Sequence, residues 1–239
     1  MAQDRGRGPN VTVDGVLVHL RRSARARRLS LRVSAIDGRV TLTLPRRVGQ
    51  TEALRFVQDR TDWLRDALAG QGAPVIVAPG ARLPVEGAER TVTLAAARAP
   101  VLQGDRLILP QRAAGRAGAT VAAFLRQLAR TRLVAACDRH AAALGRQPGR
   151  LTLRDTRSRW GSCTAAGDLM FSWRLAMAPP EVLDYVAAHE VAHLVEMNHS
   201  PAFWAQVARL YPGWQAQRDW LRREGLTLHR YRFDTQAGD

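Results

Sequence analysis

His189-Glu190-Val191-Ala192-His193, with His199 six residues on, constrains the architecture more than any other part of the chain. Three of the chain's six histidines fall within these eleven residues. On an α-helix, residues i and i+4 share a face. His189 and His193 therefore aim two imidazoles at one point. Glu190 is offset by about 100°, the helical step per residue, and flanks that point. This is the HExxH arrangement: two zinc ligands and a carboxylate that accepts a proton from metal-bound water. Zinc lowers the pKa of such a water to about 7 and polarises the bond under attack. A catalytic zinc takes three protein ligands and keeps a fourth position open.

His199 is the candidate third ligand. The metal helix is expected from about residue 180, where Pro180 suits a first turn, to about residue 196. Asn198 or Ser200 can cap the next helix, with Pro201 in its first turn. His199 then sits at a helix–helix corner, where the chain can turn it back. The bare motif could equally be a solvated helix face. Here the helix is otherwise small and apolar (Val182, Leu183, Val186, Ala187, Ala188, Val191, Ala192, Leu194), which reads as buried. Buried histidines and a buried glutamate need partners, and one Zn2+ per chain supplies one. His229 is the remaining candidate for a fourth ligand.

His189-Glu190-Val191-Ala192-His193-Leu194, Asn198-His199-Ser200 and Phe203-Trp204 together resemble the YgjP-like metallopeptidases. These are small zincins, related more distantly to the SprT-like and WLM families. A second block agrees: Ser158-Arg159-Trp160-Gly161-Ser162-Cys163, then Phe171-Ser172-Trp173-Arg174-Leu175 and Ala178-Pro179. The blocks span about residues 157–214. The resemblance implies a zincin-like fold, one catalytic zinc, and His189, His193 and His199 as ligands with Glu190 as base. The metzincin pattern shares the ligand spacing but has a glycine midway, where this chain has Glu196, and a Met-turn downstream, whereas the last methionine here is Met197.

Outward from the motif, the chain reads as α+β. Residues 11–13 and 16–18 flank an Asp14-Gly15 turn. Leu29, Leu31 and Val33 alternate with polar residues, as do Val40, Leu42 and Leu44, with a hairpin signal at Asp37-Gly38 between them. Leu54, Val57, Leu64 and Leu68 predict one helix over 51–68, which Gly70, Gly72 and Pro74 end. Strand-like pieces follow at 75–78, 90–94 and 107–109. A long helix is expected over 119–144, stopped by Gly145. Strands are expected at 151–153 and 169–175. The expected organisation is a basic polar tail over 1–10, a β-rich part with one helix over 11–112, and a zincin-like catalytic domain over 113–239. A soft boundary over 111–118 separates the last two; the alternative is that 11–112 and 113–239 form one continuous structural unit.

A chain of 239 residues buries a sizeable core, and its composition is ordinary for a globular protein. No apolar run approaches the ~20 residues of a membrane span. Met1 to Asn10 lacks the apolar core of a signal peptide, so a cytoplasmic protein is expected. Cys137 and Cys163 form no framework and read as small buried groups. The net charge is +15 with no lysine, and the arginine excess is densest at Arg21, Arg22, Arg25, Arg27 and Arg28. It reads as a solvated basic loop or as a contact for nucleic acid, nucleotide or an acidic partner.

The expected function is a zinc metallopeptidase acting on a peptide or protein. Glu190 takes a proton from zinc-bound water and passes it to the leaving amine. Tyr185, Arg157, Arg159 and Arg174 are the candidates for oxyanion or substrate contacts. An edge strand at 167–173 is expected to pair with extended substrate. The alternatives are a metal-dependent phosphohydrolase acting on nucleotides and a DNA-associated, SprT-like protease.

Overall fold

A computed structural model of the chain describes residues 9–33, 39–69 and 73–233. It is α+β and divides into two compact units, residues 1–73 and 74–239. Most of the 1–10 tail, the Asp37-Gly38 turn, Gly70 and Gly72 lie outside the described residues.

In the first unit, β1 (Asn10–Val13) and β2 (Val16–Ser23) form a hairpin over Asp14 and Gly15, both with positive φ, 47° and 81°. That is the backbone a two-residue turn requires. β3 (Ser30–Val33) pairs antiparallel with β4 (Val40–Pro45), which lies parallel to β2, giving the order β1-β2-β4-β3. The inward side chains Val18, Leu20, Leu42 and Leu44 share a core with Ala53, Val57 and Leu64. Those last three lie on two helices, α1 (Gln50–Gln58) and α2 (Thr61–Ala69), where the periodicity predicted one. The apolar spacing runs through the break. The chain stops at Asp59, whose N–H closes onto the Arg55 and Val57 carbonyls. It restarts at Thr61, whose hydroxyl donates to Asp14 Oδ2 at 2.7 Å.

The second unit opens with β5 (Val75–Ile76), β6 (Arg82–Val85), β7 (Ala88–Ala95), β8 (Val101–Gln103) and β9 (Arg106–Pro110). The last four form one sheet in the order β6-β7-β9-β8. A single 3-10 stretch, Gln111–Arg116, leads from β9 directly into α3 (Ala117–Leu144). The expected boundary at 111–118 is thus a continuous piece of the unit. Its Ala113 and Ala117 lie in the same core as the strands before and the helix after. α3 ends at Gly145, left-handed at φ 61°, whose N–H closes onto Ala141 and Ala142.

β10 (Leu151–Arg154), β11 (Gly161–Cys163) and β12 (Leu169–Ser172) follow, then α4 (Pro180–Ala192), α5 (Pro201–Leu210), α6 (Trp214–Arg223) and β13 (Tyr231–Arg232). The sheet order is β10-β12-β11. This corrects the expected edge at 167–173: β12 is the central strand, parallel to β10 and antiparallel to β11. Its Leu169, Phe171 and Ser172 are buried, as a central strand requires. The strand also ends at Ser172, and residues Trp173–Met177 form a 3-10 turn that presents Glu86 and Gly87 with the carbonyls of Ala176 and Met177. α4 packs between α3, α5 and α6. No helix among the described residues is long and apolar enough to cross a membrane.

Candidate active site

α4 is an interior helix. Val182, Leu183, Val186, Ala187, Ala188, Val191 and Ala192 are all buried, and Pro180 opens it where a missing N–H costs nothing. The helix stops at Ala192 rather than near 196, because the chain folds back on its own end. The Glu196 N–H donates to the Ala192 carbonyl at 3.1 Å, and the Glu196 carbonyl lies 2.9 Å from His193 Nδ1. A carbonyl only accepts, so His193 carries its proton on Nδ1 and presents the Nε2 lone pair. Asn198 Oδ1 accepts from Ser200 N–H at 3.0 Å, and Ser200 Oγ from Phe203 N–H at 3.3 Å. Ser200 is thus the cap of α5, with Pro201 in its first turn.

This corner returns His199 to α4, with its Nε2 3.1 Å from His189 Nε2. One ligand atom from each of His189, His193 and His199 lies within 4.8 Å of the others. Phe203 floors all three rings, with centroids 4.9, 4.4 and 4.7 Å away in that order. Burial holds the His189 imidazolium down to about 3, and His193, His199 and Arg218 oppose its charge further. Burial lowers His193 as well. Neutral imidazoles with converging lone pairs are cation ligands. The donor set fits zinc: with Zn–N bonds near 2.0–2.1 Å, tetrahedral neighbours stand about 3.3 Å apart.

Glu190 is buried beside this cluster. Burial raises its carboxyl to about 8, against the pull of Arg159. A nearby divalent cation would draw it back down. Gly161 of β11 makes room for it: a Cβ there would stand 2.6 Å from Glu190 Cγ and Oε1.

β11 pairs only with β12 among the described strands, so its other side is an open edge. The Ser172 N–H donates to the Trp160 carbonyl, and Thr164 N–H to the Asp168 carbonyl. Antiparallel ladders alternate, so Gly161 and Cys163 turn their backbone groups outward. Cys163 is a free, half-buried thiol raised to about 11, mainly by burial. Cys137 is free, buried in the core, and raised to about 12 for the same reason.

The other site candidates separate. Arg159 is exposed and lies close enough to act on Glu190. Arg157 is exposed, with its charge felt at His229. Tyr185 is buried, its ring 6.0 Å from His189 and stacked on Trp214, and burial pushes its phenol up to about 12. Arg174 is committed elsewhere. Its Nε and Nη2 donate to Asp155 at 2.7 and 3.1 Å, and its Nη1 to the Leu228 and Tyr231 carbonyls at 2.9 and 3.1 Å. These bonds pin the C-terminal segment to the candidate substrate contact named from the sequence. His229 is not among the three clustered histidines; it is buried against Trp160 at 5.3 Å. Trp173 is core, whereas Trp160 is half-buried before β11.

Sequence reasoning missed Gly161 and a ladder of Trp204, Trp214 and Arg218. The indoles stack at 4.4 Å, and the guanidinium carbon lies 4.8 and 5.6 Å from their centroids. The available signal was the one-turn spacing of Trp214 and Arg218 on α6; Gly161 has no such local mark.

The family model for the YgjP-like, metallopeptidase domain matches residues 27–224. No curated protein matches. The crystal structure of the metallopeptidase zymogen of Pyrococcus abyssi abylysin is similar over 38% of this chain and 95% of that one. Its identity is 20% and its TM-score 0.35, too distant to carry an argument.

Proposed function

Because the chain belongs to the YgjP-like metallopeptidase family, we propose that it is a zinc-dependent peptidase with Glu190 as its proton acceptor and donor. The observation that carries this reading is the convergence of three histidine nitrogens within 4.8 Å beside a buried carboxylate. His189, His193 and His199 would hold the zinc. Bound there, zinc would supply a water activated near neutral pH and a Lewis acid for the peptide carbonyl.

The chain's own groups do the rest. Glu190 accepts a proton from the attacking water and returns it to the leaving amine. Its buried position beside Gly161 excludes competing solvent contacts. The outward N–H and C=O groups of Gly161 and Cys163 on β11 would bond the backbone of an extended substrate. That assigns to β11 the edge role expected of 167–173. Arg159 stands beside Glu190 and offers a positive contact on that wall.

The test pairs metal content by mass spectrometry with cleavage of unfolded protein. The expected result is about one zinc in the parent and in Glu190→Gln, a marked loss in His199→Ala, and at least 100-fold lower turnover in Glu190→Gln. An active Glu190→Gln removes Glu190 from the chemistry. Phosphate release from nucleotides, measured in parallel, would redirect the reading to phosphate esters if it occurred without proteolysis.

A further inference from the structure

Arg218 is held differently from Arg174. Arg174 is saturated by Asp155 and two carbonyls. Arg218 is half-buried on α6, and among the described residues it makes no hydrogen bond or ion pair. The adjacent Asp219 pairs with Arg222 instead. What holds Arg218 is two indole faces, at 4.8 Å (Trp204) and 5.6 Å (Trp214). Those rings are themselves fixed. Trp214 stacks on Tyr185, and Trp204 lies 5.7 Å from the His189 ring and 5.9 Å from the His199 ring. The ladder therefore runs from His189 and His199 to a guanidinium whose donors no described residue uses. Stacking leaves the N–H edge of a guanidinium available, oriented at little further entropic cost. A carboxylate fits such an edge bidentately.

Resting on the peptidase reading above, we propose that Arg218 is a substrate-anchoring residue that binds a carboxylate of the peptide within about three residues of the bond cut. The His189–Trp204 and Trp204–Arg218 separations of 5.7 and 4.8 Å set the anchor within about three residues of extended chain from the histidine cluster, at ~3.3–3.6 Å per residue. The carboxylate is either an acidic side chain or a free C-terminus.

Three acetylated hexapeptides test this. They are identical except for one glutamate with a C-terminal amide, one glutamine with a C-terminal amide, or that glutamine with a free C-terminus. Binding is followed by tryptophan fluorescence on zinc-loaded Glu190→Gln, so it does not depend on turnover. The expected result is that at least one carboxylate peptide binds about tenfold tighter than the neutral one. The preference should weaken at high salt and fall to within twofold when Arg218→Met is added, which keeps an apolar stem on the indoles. Arg218→Lys should retain part of it. Preference for the glutamate peptide identifies an acidic side chain, and preference for the free acid a chain terminus. Equal binding of all three, no binding of any, or a preference that survives Arg218→Met overturns the proposal. Cleavage is scored separately on the parent. A parent that binds with the expected preference yet cuts no peptide counts against the peptidase reading and leaves the anchor standing.

Discussion

Gly161 shows how much one absent methyl can hold open. The space its Cβ would fill already contains the Glu190 side chain, at 2.6 Å, so the carboxylate and any side chain at 161 exclude each other. We expect Gly161→Ala to displace Glu190 and lower turnover at least tenfold. Bound zinc should stay near one per chain, because the atoms nearest that position all belong to Glu190; turnover within twofold of the parent would show the carboxylate has room to spare. At this scale the sequence was most legible where the chemistry is local. The spacing of His189 and His193 puts two imidazoles on one helix face without knowledge of any other element. His199 was legible only as a corner residue, since its return depends on the His193–Glu196 contact. Arg174 was not legible, because two of its partners are carbonyls of Leu228 and Tyr231, whose place beside it follows from the tertiary path of the chain.

Among elements, β11 matters most to the reading and was hardest to see. Gly161-Ser162-Cys163 has one glycine and no β-branched or aromatic residue, so nothing in it signals a strand. The more apolar Leu169–Ser172 was the strand the sequence announced, and it is apolar because neighbours cover it on both sides. Burial thus raises the sequence signal of a central strand and lowers that of the edge. The consequence is testable with proline. Cys163→Pro removes an outward N–H while leaving the Ser162 bonds to β12 in place. We expect at least tenfold slower cleavage of extended peptides, with zinc content unchanged. Full turnover in this variant would show that substrate does not add to β11.

Across the whole molecule, turn-rich composition recurs and does not by itself mark where units divide. Residues 70–74 and 110–118 both carry glycine or proline, and only packing shows that the first separates units while the second sits inside one. Stability carries its own molecule-wide signature. His229 is buried in the second unit, and burial, then Arg174, lowers its pKa from 6.5 to about 4. Unfolded chains bind a proton there below about 6.5 and the folded chain does not. Stability therefore falls as pH drops from 6.5 towards 4. In metal-free protein the buried His189 adds to this fall and Glu190 opposes it, so we expect the melting temperature of His229→Leu to drop less than that of the parent as pH goes from 6.5 to 4; an equal drop would place the linkage elsewhere. The same segment has one more property. β13 lies parallel to β5, Tyr231 beside Val75, and the Val77 N–H reaches the Arg232 carbonyl at 2.8 Å. The second unit is therefore entered and left through neighbouring strands, as a ring is closed by a clasp. A circular permutant that joins those two strands by a crossover linker of about a dozen residues, as parallel neighbours require, and opens new ends at an exposed turn is expected to keep the histidine cluster.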